Sequence, residues 1–158
     1  MTMDAFGLNE ALREKAKANG WHYLFGDELS KNIDATSEDY NRENWNDYMD
    51  GKYILSWFFP TISPDFYHSL TTKVTYTGAV ALGLKVDNDG TEANLDEVFE
   101  VKYNNRLRIL AEMLSNFIAS FACENTLSTS GVRLIYKLKQ YDECVDFVEA
   151  ELTITWEQ

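Results

Sequence analysis

Two long stretches of this chain alternate apolar and polar or small side chains almost without interruption, and that pattern narrows the available folds more than any other feature. From 74 to 86 the even positions read Val74, Tyr76, Gly78, Val80, Leu82, Leu84 and Val86, against Thr75, Thr77, Ala79, Ala81, Gly83 and Lys85. From 144 to 156, Cys144, Asp146, Val148, Ala150, Leu152, Ile154 and Trp156 fall on one side, opposite Val145, Phe147, Glu149, Glu151, Thr153 and Thr155. Successive strand side chains point to opposite faces, so each stretch predicts a strand with one face on a core. An uncovered strand edge carries unpaired backbone donors and acceptors. The strand at 145–156 must therefore pair inside its own sheet or be offered to a neighbour.

Other segments supply the partners for these strands. Residues 4–19 place Ala5, Leu8, Leu12 and Ala16 on one helical face, with Lys15 and Lys17 near the end and Gly20 positioned just past the C-cap. "WHYLFG" (21–26) is aromatic and strand-like, and "KYILSWFFP" (52–60) is a buried-strand run that Pro60 is expected to end. "DNDG" (87–90) closes the strand at 74–86 as a turn. From Asn104 to 122 the spacing of Leu107, Leu110, Ala111, Leu114, Phe117, Ile118 and Phe121, with Met113 at the margin, predicts the main helix. Its stripe is broad enough to cover a sheet. Residues 131–141 alternate again, Val132, Leu134, Tyr136 and Leu138 opposite Arg133, Ile135, Lys137 and Lys139, and "YDEC" returns the chain into the last strand. Together these elements predict an α+β fold. Its mainly antiparallel sheet of four to five strands is packed by one long and one short helix and includes a C-terminal β-hairpin.

With 158 residues, 45% of them hydrophobic and 14% aromatic, the chain is expected to form a single domain over 1–158 with a real core. Its formal net charge of −12, from 26 acids and 14 bases, repels phosphate backbones, so sequence-specific nucleic-acid binding is not expected. The start "MTMDAFGLNEALREK" has neither a basic n-region nor an apolar h-region, and no run of about 18 apolar residues occurs, which argues against export or a membrane partner. Cys123 and Cys144 form no disulfide framework and lack metal-ligand spacing, in keeping with a reducing cytosol.

Charge is concentrated between Asp27 and Asp50, where eight carboxylates meet only Lys31 and Arg42. In this acidic segment or insertion, Thr36 and Asp39 have capping-box spacing. Asp39, Glu43 and Asp47 are interleaved with Tyr40, Trp45 and Tyr48, a composition suited to an interaction surface for a basic partner. A solvated acidic loop whose aromatics tuck into the core has the same composition.

No catalytic constellation emerges. "DNDGTE" (87–92) crowds carboxylates around a glycine, but the alternate-ligand pattern of a calcium loop breaks after Asp89. His22 and His68 have no His or Cys at ligand spacing, and "TGAVALG" (77–83) lies inside an alternating strand without a following Lys-Ser/Thr. Neither a metal, a cofactor nor an enzymatic activity is expected.

In layout the chain resembles the tail terminator and tail-completion proteins of long-tailed bacteriophages of the lambda type. The resemblance rests on the short helix "LNEALREKAKANG" (8–20), the strands "KYILSWFFP" (52–60) and "KVTYTGAVALGLKV" (73–86), one long helix, and the closing strand "VEAELTITWEQ" (148–158). It implies a structural virion protein assembled in a bacterial host cytoplasm. Such proteins form a homo-oligomeric ring, usually of six subunits, that caps the tail tube and joins it through a head–tail connector protein to the head. A rival expectation is an acidic binding protein, such as an immunity protein or nucleic-acid mimic, that blocks a basic partner through 27–50.

Overall fold

The computed structural model describes residues 7–26, 53–85, 99–139 and 145–157. Helix α1 (Gly7–Ala18) buries Leu8, Leu12 and Ala16, the apolar positions of its pattern. Gly20 adopts φ +73°, and the chain leaves the helix through Trp21 N–H donating to the Ala16 carbonyl (2.9 Å) and Gly20 N–H to that of Lys17 (3.0 Å). That is the paired C-terminal cap a glycine there permits. Strand β1 (His22–Leu24) follows, then β2 (Tyr53–Tyr67) and β3 (Leu70–Lys85). A π-helical stretch, Phe99–Leu107, runs directly into helix α2 (Arg108–Glu124). Leu107 already has helical φ −62° and ψ −42°, so the junction needs no side-chain cap. Strands β4 (Ser128–Lys139) and β5 (Val145–Glu157) complete the order.

The fold is α+β, as the patterns predict. Its five described strands form one sheet in the order β1-β2-β3-β5-β4. Only β1, which runs parallel to β2, departs from antiparallel pairing. Strand β5 pairs with β3 from Lys85↔Val145 to Lys73↔Glu157 and with β4 on its other side. The strand that the alternation at 144–156 demanded is thus an interior strand whose backbone is satisfied within the subunit. Among the described strands, β4 takes the outer position instead.

Register assigns the faces. Leu82↔Val148, Val80↔Ala150 and Tyr76↔Ile154 lie on the face that receives both helices, and they join Leu8, Leu12, Leu110, Leu114, Phe117 and Phe121 in one buried cluster. The helices are tied to each other as well. Lys15 donates from α1 to the Glu124 carboxylate (2.8 Å) and to Ser120 (2.9 Å) on α2, with its ammonium 5.8 Å from the Phe117 ring centre. The Lys15 hydrogen bond, with that from Ser120, holds the Glu124 carboxyl below its ordinary range.

On the opposite face Ile54, Phe58, Ala79, Ala81, Val145 and Phe147 form a second buried cluster, to which neither described helix contributes. Here Gly83 is required by close approach. A Cβ built on it would lie 2.5 Å from the ring of Phe147, its direct cross-strand partner, which packs edge-on against Phe58 at 5.6 Å. Gly83→Ala is therefore expected to cost about 1–3 kcal/mol through overpacking, measured as a lower urea midpoint at unchanged slope. A neutral result would mean that Phe147 can turn away freely.

The main helix, expected from 104, begins as the π-helical stretch at Phe99, and three strand boundaries also differ from expectation. Strand β2 does not stop at Pro60 but runs to Tyr67, and its pairing with β3 shifts register between Phe58 and Thr61. The irregularity absorbs the residue that lacks an N–H, and the ladder resumes beyond it. Strand β3 accordingly starts at Leu70, joined to β2 through His68 (φ 46°) and Ser69 (φ 70°), the paired left-handed residues of a two-residue hairpin turn. Strand β4 starts at Ser128 rather than 131, because a second shift, between Ser130 and Arg133, accommodates Gly131 at φ +64°.

Candidate interaction surfaces

The sheet treats its two sides unequally. On one side β1 is short and pairs only with Ile54–Ser56, so the outer edge of β2 beyond Ser56 has no partner among the described strands. Pro60 and Pro64 lie on that stretch, and a residue without an N–H blunts an edge for further pairing. On the other side β4 runs from Ser128 to Lys139 without a proline, and its outer edge is unpaired among the described strands. Among the described residues, the bulge at Gly131 and the bases Arg133 and Lys137 protect it. Arg133 is engaged by Glu151 of β5 at 2.6 Å.

The alternation in β4 predicts one face on the core, and here the expectation needs correction. Leu134 and Tyr136 do stand on the helix-bearing face, level with Ala150 and Val148. They are nevertheless 42% and 48% exposed, and Val132 and Leu138 are exposed too. Helix α2 centres on β3 and β5, one strand short of this edge. The π-helical stretch extends the same surface. Phe99 stacks on Tyr103 (4.9 Å between ring centres), and Tyr103 meets Tyr136 edge-on at 6.4 Å, with all three rings exposed. Three half-exposed rings and three aliphatic side chains present on the order of 500 Å² of apolar surface. Contiguous patches of that size mark contact sites.

A second apolar group caps the β2–β3 hairpin. Phe66, Tyr67 and Leu70 are each about two-thirds exposed around the His68–Ser69 turn. This tip projects roughly 10 Å past the last β3–β5 pair at the strand rise, since that pair is Lys73↔Glu157. A smaller apolar recess of about 180 Å³ opens between β1 and β2, lined by Tyr23, Leu24, Phe25, Trp57, Pro60 and Ile62. On its wall Tyr23 donates to Asn9, and burial pushes the Tyr23 phenol well above its ordinary range.

The residues singled out in the acidic segment, Asp39, Tyr40, Glu43, Trp45, Asp47 and Tyr48, lie outside the described residues, as do "DNDGTE" and Cys144. His22 is buried in β1, His68 sits on the exposed hairpin turn, and Cys123 is exposed on α2. Among the described residues no group of three His, Cys, Asp or Glu could hold a metal ion, and no helix is long and apolar enough to cross a membrane. No protein-family model matches the chain, and no curated protein matches it either.

The patch along β4 combines residues that no local pattern joins. Its only trace in the sequence is the pairing of an apolar face with an opposite face of Arg133, Ile135, Lys137 and Lys139 in "VRLIYKLK" (132–139), which suits an edge as well as a half-buried strand.

Proposed function

We propose that this chain is a structural protein of phage tail assembly, a ring-forming tail terminator or neck protein that caps the tail tube and joins it to the head. The observation that carries the reading is the exposed apolar patch along β4, the outermost of the described strands on its side, a surface suited to a protein contact. Among the described elements, a short first helix, one long helix over the sheet and a last strand paired inside it agree with the layout the resemblance implies. In a closed ring each subunit covers its neighbour's edge, so association ends without a growing filament. The net charge of −12 suits a lumen through which DNA passes without adhering. No catalytic role belongs to this function, and its partners are further copies of the chain, the tail tube protein and the connector.

Electron microscopy of the purified chain mixed with tubes of its cognate tail tube protein tests this. Rings, or extra density at tube ends, are expected. Bare tube ends, together with a stoichiometric complex between the monomer and a basic toxin, would replace the reading by that of an acidic blocking protein.

A further inference from the structure

We infer that the tip of the β2–β3 hairpin in one copy docks on the patch formed by β4 and the π-helical stretch in another. The inference rests on the ring reading above and specifies its subunit contact. Both surfaces are apolar and exposed: Phe66, Tyr67 and Leu70 at the tip, Leu134, Tyr136 and Phe99 at the patch. They occupy opposite corners of one sheet. Tyr136 is level with Val148, which pairs with Leu82, whereas the tip lies at Leu70 of the same β3 strand. Twelve residues of strand separate the two by roughly 40 Å, so neither can cover the other within a subunit.

Charge selects the pairing. Strand β4 carries Arg133 and Lys137 and no acid, so mating two β4 edges brings like charges together. The tip end of the sheet carries Asp65 and Glu157 on either side of the single base Lys73, a net negative charge. The tip offers roughly 350 Å² of apolar surface. A tip seated on a patch buries about 700 Å² of apolar surface in total, and the polar rim around it adds toward the roughly 1,000 Å² of a specific interface. Joining different surfaces of identical subunits is a heterologous contact, the kind that generates rings.

Sedimentation velocity up to millimolar concentration tests the contact with two double variants, Phe66→Thr with Tyr67→Thr at the tip and Leu134→Thr with Tyr136→Thr at the patch. Threonine keeps strand propensity, and thermal melts establish that each variant is folded. Wild type is expected to self-associate, and each variant alone to do so at least tenfold more weakly. An equimolar mixture should recover heterodimers and nothing larger, because it retains one intact tip and one intact patch. Should the patch variant unfold, Tyr136→Cys and Tyr67→Cys copies of the chain, each also carrying Cys123→Ser and Cys144→Ser, provide the second measurement, an intermolecular disulfide on mixing.

A wild type that stays monomeric throughout overturns the contact. So does a patch variant that still dimerises, which would indicate tip-to-tip pairing, or a tip variant that does, which would indicate patch-to-patch pairing. A wild-type dimer using both contacts reciprocally leaves the contact standing and defeats the ring.

Discussion

Arg106→Ala or Asp146→Ala is expected to destabilise the protein by about 3–5 kcal/mol, close to the whole stability of a marginal domain. Asp146 is the one charged residue on the apolar side of the β5 alternation, and its side chain is only 2% exposed. The Arg106 guanidinium reaches it at 3.3 Å from the π-helical stretch and is itself largely covered. Removing Asp146 takes the carboxylate from a largely covered guanidinium, and removing Arg106 withdraws a cation from a buried carboxylate. Replacing both, with Arg106→Met and Asp146→Leu, exchanges the pair for apolar contacts of similar volume and should recover most of the loss. Urea unfolding of the two single variants and the double variant closes the cycle. Additive losses would show that the two residues act independently. Because the pair pins the π-helical stretch to β5, the single variants should also release Tyr103 from Tyr136, and so disturb the patch.

Leu114→Ala or Phe117→Ala is expected to cost about 2–5 kcal/mol. Leu114 is fully buried and Phe117 nearly so, both on the α2 face that meets Val80, Leu82, Val148 and Ala150. Phe117 also packs on Trp21 at 5.3 Å and stacks on Phe121 at 5.9 Å, linking α2 to the end of α1. Truncating either side chain loses transfer free energy and leaves a cavity under a rigid sheet. Ile109→Ala, on the exposed side of the same helix, serves as the control and should change stability by well under 1 kcal/mol. Equal losses at 109 and 114 by chemical denaturation would mean that α2 does not cover the sheet.

The stripe from Leu107 to Phe121 and the alternations at 74–86 and 145–156 are local patterns, and they determined the main helix, two central strands and the α+β class directly. Helical and extended backbones impose different side-chain periods, so a sequence that must bury one face reveals which backbone it adopts. Gly20 was equally legible, because a glycine after an amphipathic run matches the left-handed cap. Pro60 misled for a physical reason: the missing N–H forbids an inner-strand ladder bond but not a bulge on an edge strand, and edge position is not a local property. The same limit governs the interaction surface. Val132, Leu134, Tyr136 and Leu138 alternate as a core-facing strand does, and the chain order alone cannot tell that β5 turns inward to β3 and leaves β4 outside. Strand order is set by non-local pairing, and it decided which apolar face the helices cover, which remains open, and that Phe99 and Tyr103 should complete the open one.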